Sequence, residues 1–238
     1  MTIAASRITI GALVIAAFVF LSGGKLPTHA SIWKKGTVIG LIGVGIPFVL
    51  ISWAMQHITS GAAAITMSII PISVFVMAHF ATHDEKMSWM GLFGLLCGIG
   101  GIVVLFYDTL KHTDNDALST YALLAMLISA FGYALSGVMI KRYVKTDAIN
   151  TSFVMLTTSA IVIWPLVLFF EQPMNMVIGI SEIIPILYLG VLATGLTTMV
   201  LVMLNQKAGA TFVSYNTYLI PIIAVFAGYI WLEEPLKE

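Results

Sequence analysis

From Gly40 to Pro71 the chain reads GLIGVGIPFVLISWAMQHITSGAAAITMSIIP, and from Gly190 to Pro221 it reads GVLATGLTTMVLVMLNQKAGATFVSYNTYLIP. The two stretches are equally long and lie 150 residues apart, since 190 − 40 and 221 − 71 are equal. The offset pairs Gln56 with Gln206 without a gap. Each copy contains two apolar segments joined by a short polar turn. A repeat of this length predicts a duplicated half-protein.

The composition is that of a membrane protein. Hydrophobic residues make up 59% of the chain and charged residues 9%, with a mean hydropathy of +1.01, whereas about a quarter of the residues in soluble domains are charged. Apolar runs of about 20 residues are long enough, as helices, to cross a ~30 Å hydrocarbon layer. The runs lack strand-like alternation, which favours a helical bundle over a β-barrel. We predict eight such helices, at 2–21, 38–56, 60–80, 88–107, 120–140, 151–170, 183–205 and 211–232.

The repeat offset also assigns the helices to two halves. It pairs the first helix with the sixth, the second with the seventh and the third with the eighth, while partners for the fourth and fifth would lie beyond the ends of the sequence. We therefore expect an all-α, polytopic membrane protein in which eight transmembrane helices are seen of an expected ten. An odd number of helices in each half inverts the second copy, so the prediction is two inverted five-helix repeats. The predicted halves are 1–112, lacking its first helix, and 113–238, lacking its last.

The distribution of lysine and arginine predicts the orientation. Basic residues collect in the loops after helices one, three, five and seven, and the positive-inside rule places these loops in the cytoplasm. The opposite side has only Arg7, Lys111 and Lys237. We predict an integral protein of the plasma membrane, with the bacterial inner membrane favoured. The cytoplasmic set is Lys25, Lys34, Lys35, Lys86, Lys141, Arg142, Lys145 and Lys207.

A series of short motifs recurs in both halves. The first half contains Ser60-Gly61-Ala62-Ala63-Ala64, Ile70-Pro71-Ile72, Glu85-Lys86-Met87-Ser88 and a glycine-rich fourth helix, and the second contains Tyr218-Leu219-Ile220-Pro221 and Leu232-Glu233-Glu234-Pro235-Leu236. In this order the motifs resemble the EamA-type transporters of the drug/metabolite transporter superfamily, and Ala5-Ser6-Arg7-Ile8 looks like the start of that family's second helix. The resemblance covers essentially the whole chain. It implies alternating-access transport of a small organic solute, such as an amino acid, metabolite or drug, commonly by export.

Uncharged polar side chains at helical spacing supply the candidate site. Hydroxyls, amides and aromatic edges that face a common cavity can bind a small, partly apolar solute, although the same residue types also pack helices together. In the family that the chain resembles, helices corresponding to the second, third, fifth, seventh and eighth line the cavity. The candidate substrate-binding residues on these helices are Trp53, Gln56, Ser68, Tyr133, Ser136, Asn205, Tyr215 and Tyr218.

The two halves differ along one of these polar faces. The eighth helix carries Thr211, Ser214, Tyr215 and Tyr218 at spacings of i, i+3, i+4 and i+7, which places them on one face. The equivalent positions 150 residues earlier are Gly61, Ala64, Ile65 and Ser68. We therefore expect a lopsided pocket, with more room beside the third helix than beside the eighth.

Other features have both a functional and an ordinary interpretation. Glu85 and Glu234 are either gating groups or helix-end charges that help to start the next helix, and we favour the second. The spacing of His79 and His83 could hold a metal ion, but two solvated histidines at a helix end are the favoured explanation. The glycines of the fourth helix line one face and predict packing against a neighbouring helix: Gly91, Gly94, Gly98 and Gly101.

Several functional classes have no support in the sequence. It contains no Walker A motif, no HExxH motif and no pair of acidic residues within a helix. We therefore predict no enzymatic activity, no cofactor, no bound metal and no nucleic-acid partner; the expected partners are a small-molecule solute and the lipid bilayer. A channel-like pore, or a non-transporting fragment or membrane subunit, remain alternatives. A carrier saturates and shows counterflow, whereas a channel does not saturate. The oligomeric state, the substrate and the coupling ion are left open.

Overall fold

The computed structural model describes residues 1–82, 84–86, 88–105, 117–145, 147–171, 179–220 and 223, and every regular element among them is helical. Six of these helices are long and apolar enough to cross a membrane. An all-helical, polytopic membrane fold is therefore confirmed. The first six helices are α1 (Thr2–Leu21), α2 (Ala30–Ala54), α3 (Ser60–Ala81), α4 (Trp89–Leu105), α5 (Ala117–Tyr143) and α6 (Ala148–Phe170). Helix α7 comprises Ile180–Gly190, Val191–Leu196 and Thr197–Lys207, and α8 begins with Ala210–Ser214 and continues over 216–220.

The largest departure from the predicted boundaries is at the start of α2. This helix begins at Ala30 and not at 38, so Lys34 and Lys35 lie on its first turns and not in a loop. The apolar run underestimates the helix because its first turns are amphipathic: Gly36 packs against Val154 of α6 while the two lysines are exposed. Helix α4 is shorter than the six spanning helices, and most of the predicted eighth helix lies outside the described residues.

Helices α2 and α7 each contain a π-helical segment at the same place in the repeat. The segments are Leu41–Gly45 and Val191–Leu196, and they begin 150 residues apart, since 191 − 41 is 150. Each is followed by a residue that changes the local hydrogen bonding. Pro47 has no backbone N–H to donate, and at the equivalent position the Thr197 hydroxyl donates to Leu192 O at 2.9 Å. Single π-helical turns within α-helices are frequent at functional sites.

The two predicted halves pack against each other through equivalent helices. Helix α1 packs on α6 and α7, and α6 packs on α1 and α2; because the offset pairs α1 with α6 and α2 with α7, these contacts are reciprocal. Close approach depends on small residues. The backbone nitrogen of Gly195 lies 3.1 Å from the position that a Cβ on Gly11 would occupy. The largest core cluster fills the space among these helices and includes Ile8, Ile15, Ile39, Leu156 and Ile163.

The outer surface of the bundle is apolar. Phe20, Phe93 and Phe169 expose 62%, 70% and 79% of their surfaces. Exposed apolar area on this scale is unfavourable in water and is expected where side chains face lipid. The surface and the spanning helices together describe an integral membrane protein.

Candidate functional site

An arginine on α1 extends into the bundle between the two halves. The Arg7 Nε donates a hydrogen bond to Thr194 Oγ1 at 2.9 Å. The guanidinium carbon lies 4.8 Å from the centre of the Phe48 ring, a cation–π contact. Tyr133 of α5 lies within electrostatic range of Arg7. Four helices therefore converge on this group: α1, α2, α5 and α7.

The π-helical segment of α7 holds the hydrogen-bond acceptor for Arg7. Thr194 lies within Val191–Leu196 and is only 1% exposed, so the contact is formed inside the protein. The Nε bond uses one of the five guanidinium N–H donors. Among the described residues no carboxylate lies within ion-pair distance of Arg7. The planar donors at the end of the side chain match the geometry of a carboxylate.

The sequence interpretation missed the importance of Arg7. It counted Arg7 among the few basic residues on the side opposite the cytoplasmic loops, although Arg7 belongs to the helix Thr2–Leu21. A charge within a spanning helix costs roughly 2.5 to 3.5 kcal/mol at the bilayer centre and usually faces the bundle interior. The usable signal was that Arg7 is the only charged residue in its apolar run.

One predicted residue on α5 lies near this arginine, and a second lies one turn further along the same helix. Tyr133 is close enough to Arg7 for electrostatic interaction. Ser136, one turn along α5, is 6% exposed and donates its hydroxyl to Tyr133 O at 2.9 Å. It packs against Gly43 so closely that a Cβ on Gly43 would overlap the Ser136 side chain. The α5 face that carries Tyr133 and Ser136 therefore meets the π-helical segment of α2.

The predicted residues at the other end of α2 and in α3 make local contacts. Trp53 packs beside His57, with ring centres 5.0 Å apart. Gln56 is exposed and its Nε2 donates to Ser52 O at 3.3 Å. Ser68 is 4% exposed and its hydroxyl donates to Ile65 O at 2.5 Å. The hydrogen bonds of Gln56 and Ser68 therefore remain within their own helical segments.

Asn205 of α7 lies at a helix contact. It is 5% exposed and donates its Nδ2 to Leu201 O at 2.8 Å. Its Oδ1 lies 3.3 Å from the position that a Cβ on Gly137 would take. Asn205 therefore borders the contact between α7 and α5, where a larger residue at position 137 would displace it.

The tyrosines of α8 lie on the side of α4. The Tyr218 hydroxyl donates to Leu95 O at 3.5 Å, and a Cβ on Gly98 would come within 2.5 Å of the Tyr218 ring. Tyr215 is half-buried and lies where α8 is interrupted after Ser214. The predicted glycine face of α4 is only partly a packing face. Gly98 and Gly91 meet aromatic rings, whereas no described atom lies within 4 Å of a Cβ on Gly94 or Gly101.

Glu85 caps a helix in the other half of the protein. Its Oε1 accepts the backbone N–H of Ala210 at 2.9 Å, and its Oε2 accepts that of Thr211 at 2.7 Å. The favoured interpretation of Glu85 was a solvated charge that helps to start the next helix, and it is wrong about which helix Glu85 caps. The next helix is α4, whereas Glu85 caps α8, 125 residues further along the chain. The sequence could not identify this partner because the contact depends on the tertiary fold.

The neighbours of Glu85 add one contact between the halves and two hydrogen bonds within the first half. Asp84 forms an ion pair with Lys141 of α5 at 2.9 Å. Lys86 turns back and donates to Thr82 O at 3.0 Å and to His79 O at 3.1 Å, which satisfies the C-terminal carbonyls of α3. The possible metal site involving His83 and the possible gate at Glu234 lie outside the described residues.

Comparison with known proteins gives a consistent result. The model of the EamA-like transporter family matches residues 1–107 and 120–238. The uncharacterized transporter YoaV of Bacillus subtilis (strain 168) is 25% identical over 232 residues, covering 97% of this chain and 78% of YoaV. YdfC, an uncharacterized transporter of the same organism, is 23% identical over 238 residues, covering 96% of this chain and 72% of YdfC. A crystal structure with 18% identity superposes with a TM-score of 0.81, covering 99% of this chain and 81% of the other, and supports the fold alone.

Proposed function

The chain belongs to the EamA-like transporter family and is an integral membrane transporter, and we propose that it carries a small organic solute bearing a carboxylate by alternating access. Amino acids and related metabolites are the solute class, and export is the proposed direction. Arg7 is the observation that carries this proposal. It is a cation inside the bundle whose Nε bonds to Thr194 and whose other donors point to no described carboxylate.

The proposed path runs between the halves at Arg7 and Tyr133. The hydrogen bond from Arg7 to Thr194 connects α1 of one half with α7 of the other. A carboxylate bound to the free donors of Arg7 would change the strength of this connection. A ligand shifts a conformational equilibrium only through different affinities for the two states. Contact between the solute and a residue that bridges the halves supplies such a difference.

The remaining predicted residues belong to this proposal as candidate contacts along the path. Tyr133 lies near Arg7, and Ser136 is one turn further along α5. Tyr215 and Tyr218 supply aromatic and hydroxyl groups on α8. Trp53, Gln56, Ser68 and Asn205 complete the proposed set, with local hydrogen bonds that the solute would have to replace or leave intact.

Transport in reconstituted vesicles tests the proposal. Radiolabelled amino acids are each paired with the amine that lacks only the carboxylate, and uptake and counterflow are measured. We expect saturable counterflow of at least one amino acid and none of its amine. Arg7→Gln should lower kcat/KM roughly 10- to 150-fold, because a hydrogen bond to a charged group contributes about 1.5 to 3 kcal/mol. Lys25→Gln, which changes an exposed cation, is the matched control.

The outcomes separate the parts of the proposal. Unchanged amino-acid transport by Arg7→Gln, with Lys25→Gln also unchanged, would show that Arg7 does not bind the solute. Flux that does not saturate and shows no counterflow would replace the carrier with a channel-like pore.

Tyr218→Ala should weaken solute binding while membrane insertion is retained; unchanged kinetics would remove the α8 face from the path.

We also infer that the loops after α1, α3, α5 and α7 face the cytoplasm. The support is the concentration of lysine and arginine at this end of the bundle. Cysteines substituted for Lys25 and Lys145, in a Cys97→Ser background, should react with a membrane-impermeant reagent only after the cytoplasmic face is opened. Labelling in intact cells would reverse the orientation.

A further inference from the structure

A basic cavity lies at the end of the bundle where α2 begins, α5 ends and α6 begins. Its volume is about 490 Å³, enough for a small polar group. Lysine, arginine and histidine side chains line it, and none of the described residues that line it is acidic. The basic residues are His29, Lys35, Arg142 and Lys145.

The nearby carboxylates are engaged elsewhere. Asp147 accepts hydrogen bonds from the backbone N–H groups of Ile149 and Asn150 and from Asn150 Nδ2, so it caps the first turn of α6. Asp84 forms its ion pair with Lys141. Among the described residues, Arg142 and Lys145 have no carboxylate within ion-pair distance. Among the described residues, the basic side chains that line the cavity therefore have no ion-pair partner.

The helix ends around the cavity also favour an anion. Within the described part of the chain, the N-cap residue His29 makes no side-chain cap bond to α2. The positive end of this long helix therefore faces a cavity lined by Ser31. The carbonyls at the end of α5 would oppose an anion, but they are already hydrogen-bonded. Tyr143 O accepts from Lys35 Nζ at 3.3 Å, and Val144 O accepts from Gln206 Nε2 at 3.1 Å.

Two aromatic residues place the cavity at the boundary between lipid and water. Trp33 lies on the first turns of α2, where its Nε1 donates to Pro27 O at 2.8 Å. Tyr143 ends α5 and is 44% exposed. Trp and Tyr are enriched at the level of the lipid headgroups. At this depth the phosphates of membrane lipids are the most abundant anions.

We propose that this cavity binds the phosphate group of an anionic phospholipid headgroup. Arg142 donates paired N–H bonds to the phosphate oxygens, while Lys35 and Lys145 contribute point charges. Basic pockets between transmembrane helices are suited to such headgroups. The site involves none of the residues on the proposed solute path, so the two proposals stand separately.

Native mass spectrometry of the detergent-purified protein tests this site. The probes are phosphatidylglycerol, phosphatidylcholine and inorganic phosphate. Phosphatidylglycerol should bind in preference to phosphatidylcholine. The double variant Arg142→Gln with Lys145→Gln should bind phosphatidylglycerol roughly 10- to 30-fold more weakly, because each basic residue near the headgroups contributes about a factor of five. The control is the double variant Lys25→Gln with Lys34→Gln, which removes two exposed charges that do not line the cavity.

The control variant distinguishes lipid binding in the cavity from lipid binding to positive charge elsewhere on the surface. We expect the control variant to bind phosphatidylglycerol as the wild type does. Arg142→Lys should lose part of the binding, because an ammonium group keeps the charge but cannot form the paired N–H bonds. Equal loss in the two double variants would overturn the proposal. Equal binding of the two lipids to the wild type would also overturn it. If inorganic phosphate binds this cavity and phosphatidylglycerol neither binds nor displaces it, the ligand is a free phosphate and not a lipid headgroup.

Discussion

Helices α3 and α8 occupy equivalent places in the repeat, yet they begin in different ways. The first turn of α3 is capped locally, because Thr59 Oγ1 accepts the backbone N–H of Ala62 at 3.3 Å. The first turn of α8 is capped from the other half of the protein by the carboxylate of Glu85. The residue before α8 is Gly209, which has no side chain to serve as a cap. Helix α3 is therefore capped by the residue that precedes it, whereas α8 is capped by a residue of the other half of the protein.

This difference shows how a duplicated fold acquires an asymmetric connection. A local cap stays in place when the halves move relative to each other, whereas the Glu85 cap is lost if α8 moves away from the loop between α3 and α4. Glu85 is therefore placed to stabilise the arrangement in which the start of α8 lies against this loop.

The strongest test of this comparison removes the Glu85 cap of α8. Glu85→Ala removes the carboxylate that accepts two hydrogen bonds, and it leaves the backbone N–H groups of Ala210 and Thr211 without this acceptor. We expect the free energy of unfolding to fall by about 1.5 to 3 kcal/mol. The measurement is thermal unfolding in detergent, with Glu85→Gln expected to lie between Glu85→Ala and the wild type.

The neighbouring ion pair provides the control for Glu85. The Asp84 side chain is 63% exposed and that of Lys141 is 16% exposed, so water screens only one partner of this ion pair. We expect the pair to contribute about 1 kcal/mol, and Asp84→Ala should therefore be milder than Glu85→Ala. Equal destabilisation by the two variants would mean that loop charge, and not the cap on α8, stabilises this end of the bundle.

The glycine that precedes α8 tests the same cap from the other side of the contact. Gly209 has a φ of +98°, and a Cβ there would lie 2.6 Å from Glu85 Oε1. Gly209→Ala combines backbone strain of about 1 to 2 kcal/mol with displacement of the cap. Gly23→Ala is the matched control, because Gly23 also has a positive φ, +70°, but no atom within 4 Å. If the two variants lose equal stability in thermal unfolding, crowding against Glu85 has no effect.

The sequence predicted the helices and their repetition more completely than the contacts between them. Hydropathy and the 150-residue offset were enough to predict most of the described helices and the paired positions of α2 and α7, because both can be read directly from the sequence, but they missed the amphipathic start of α2. The bond from Arg7 to Thr194 joins residues 187 positions apart, and the Glu85 cap joins residues 125 apart. Neither pair shares a motif or a helix face. Tyr133 and Ser136 were predicted because their spacing along α5 is itself periodic.

The smallest effect is expected at the local cap of α3. The hydrogen bond from Ala62 N to Thr59 Oγ1 is long, at 3.3 Å, and caps of this kind contribute about 0.5 to 2 kcal/mol. Thr59→Ala should therefore lower stability by about 0.5 kcal/mol, less than Glu85→Ala, with Thr59→Ser close to the wild type. Thermal unfolding measures the order of the three variants. Because the Thr59 cap does not join the two halves, Thr59→Ala should also leave the transport rate unchanged, whereas Glu85→Ala should alter it. If Thr59→Ala changes the rate as much as Glu85→Ala does, a cap within one half and a cap between the halves have the same effect on transport.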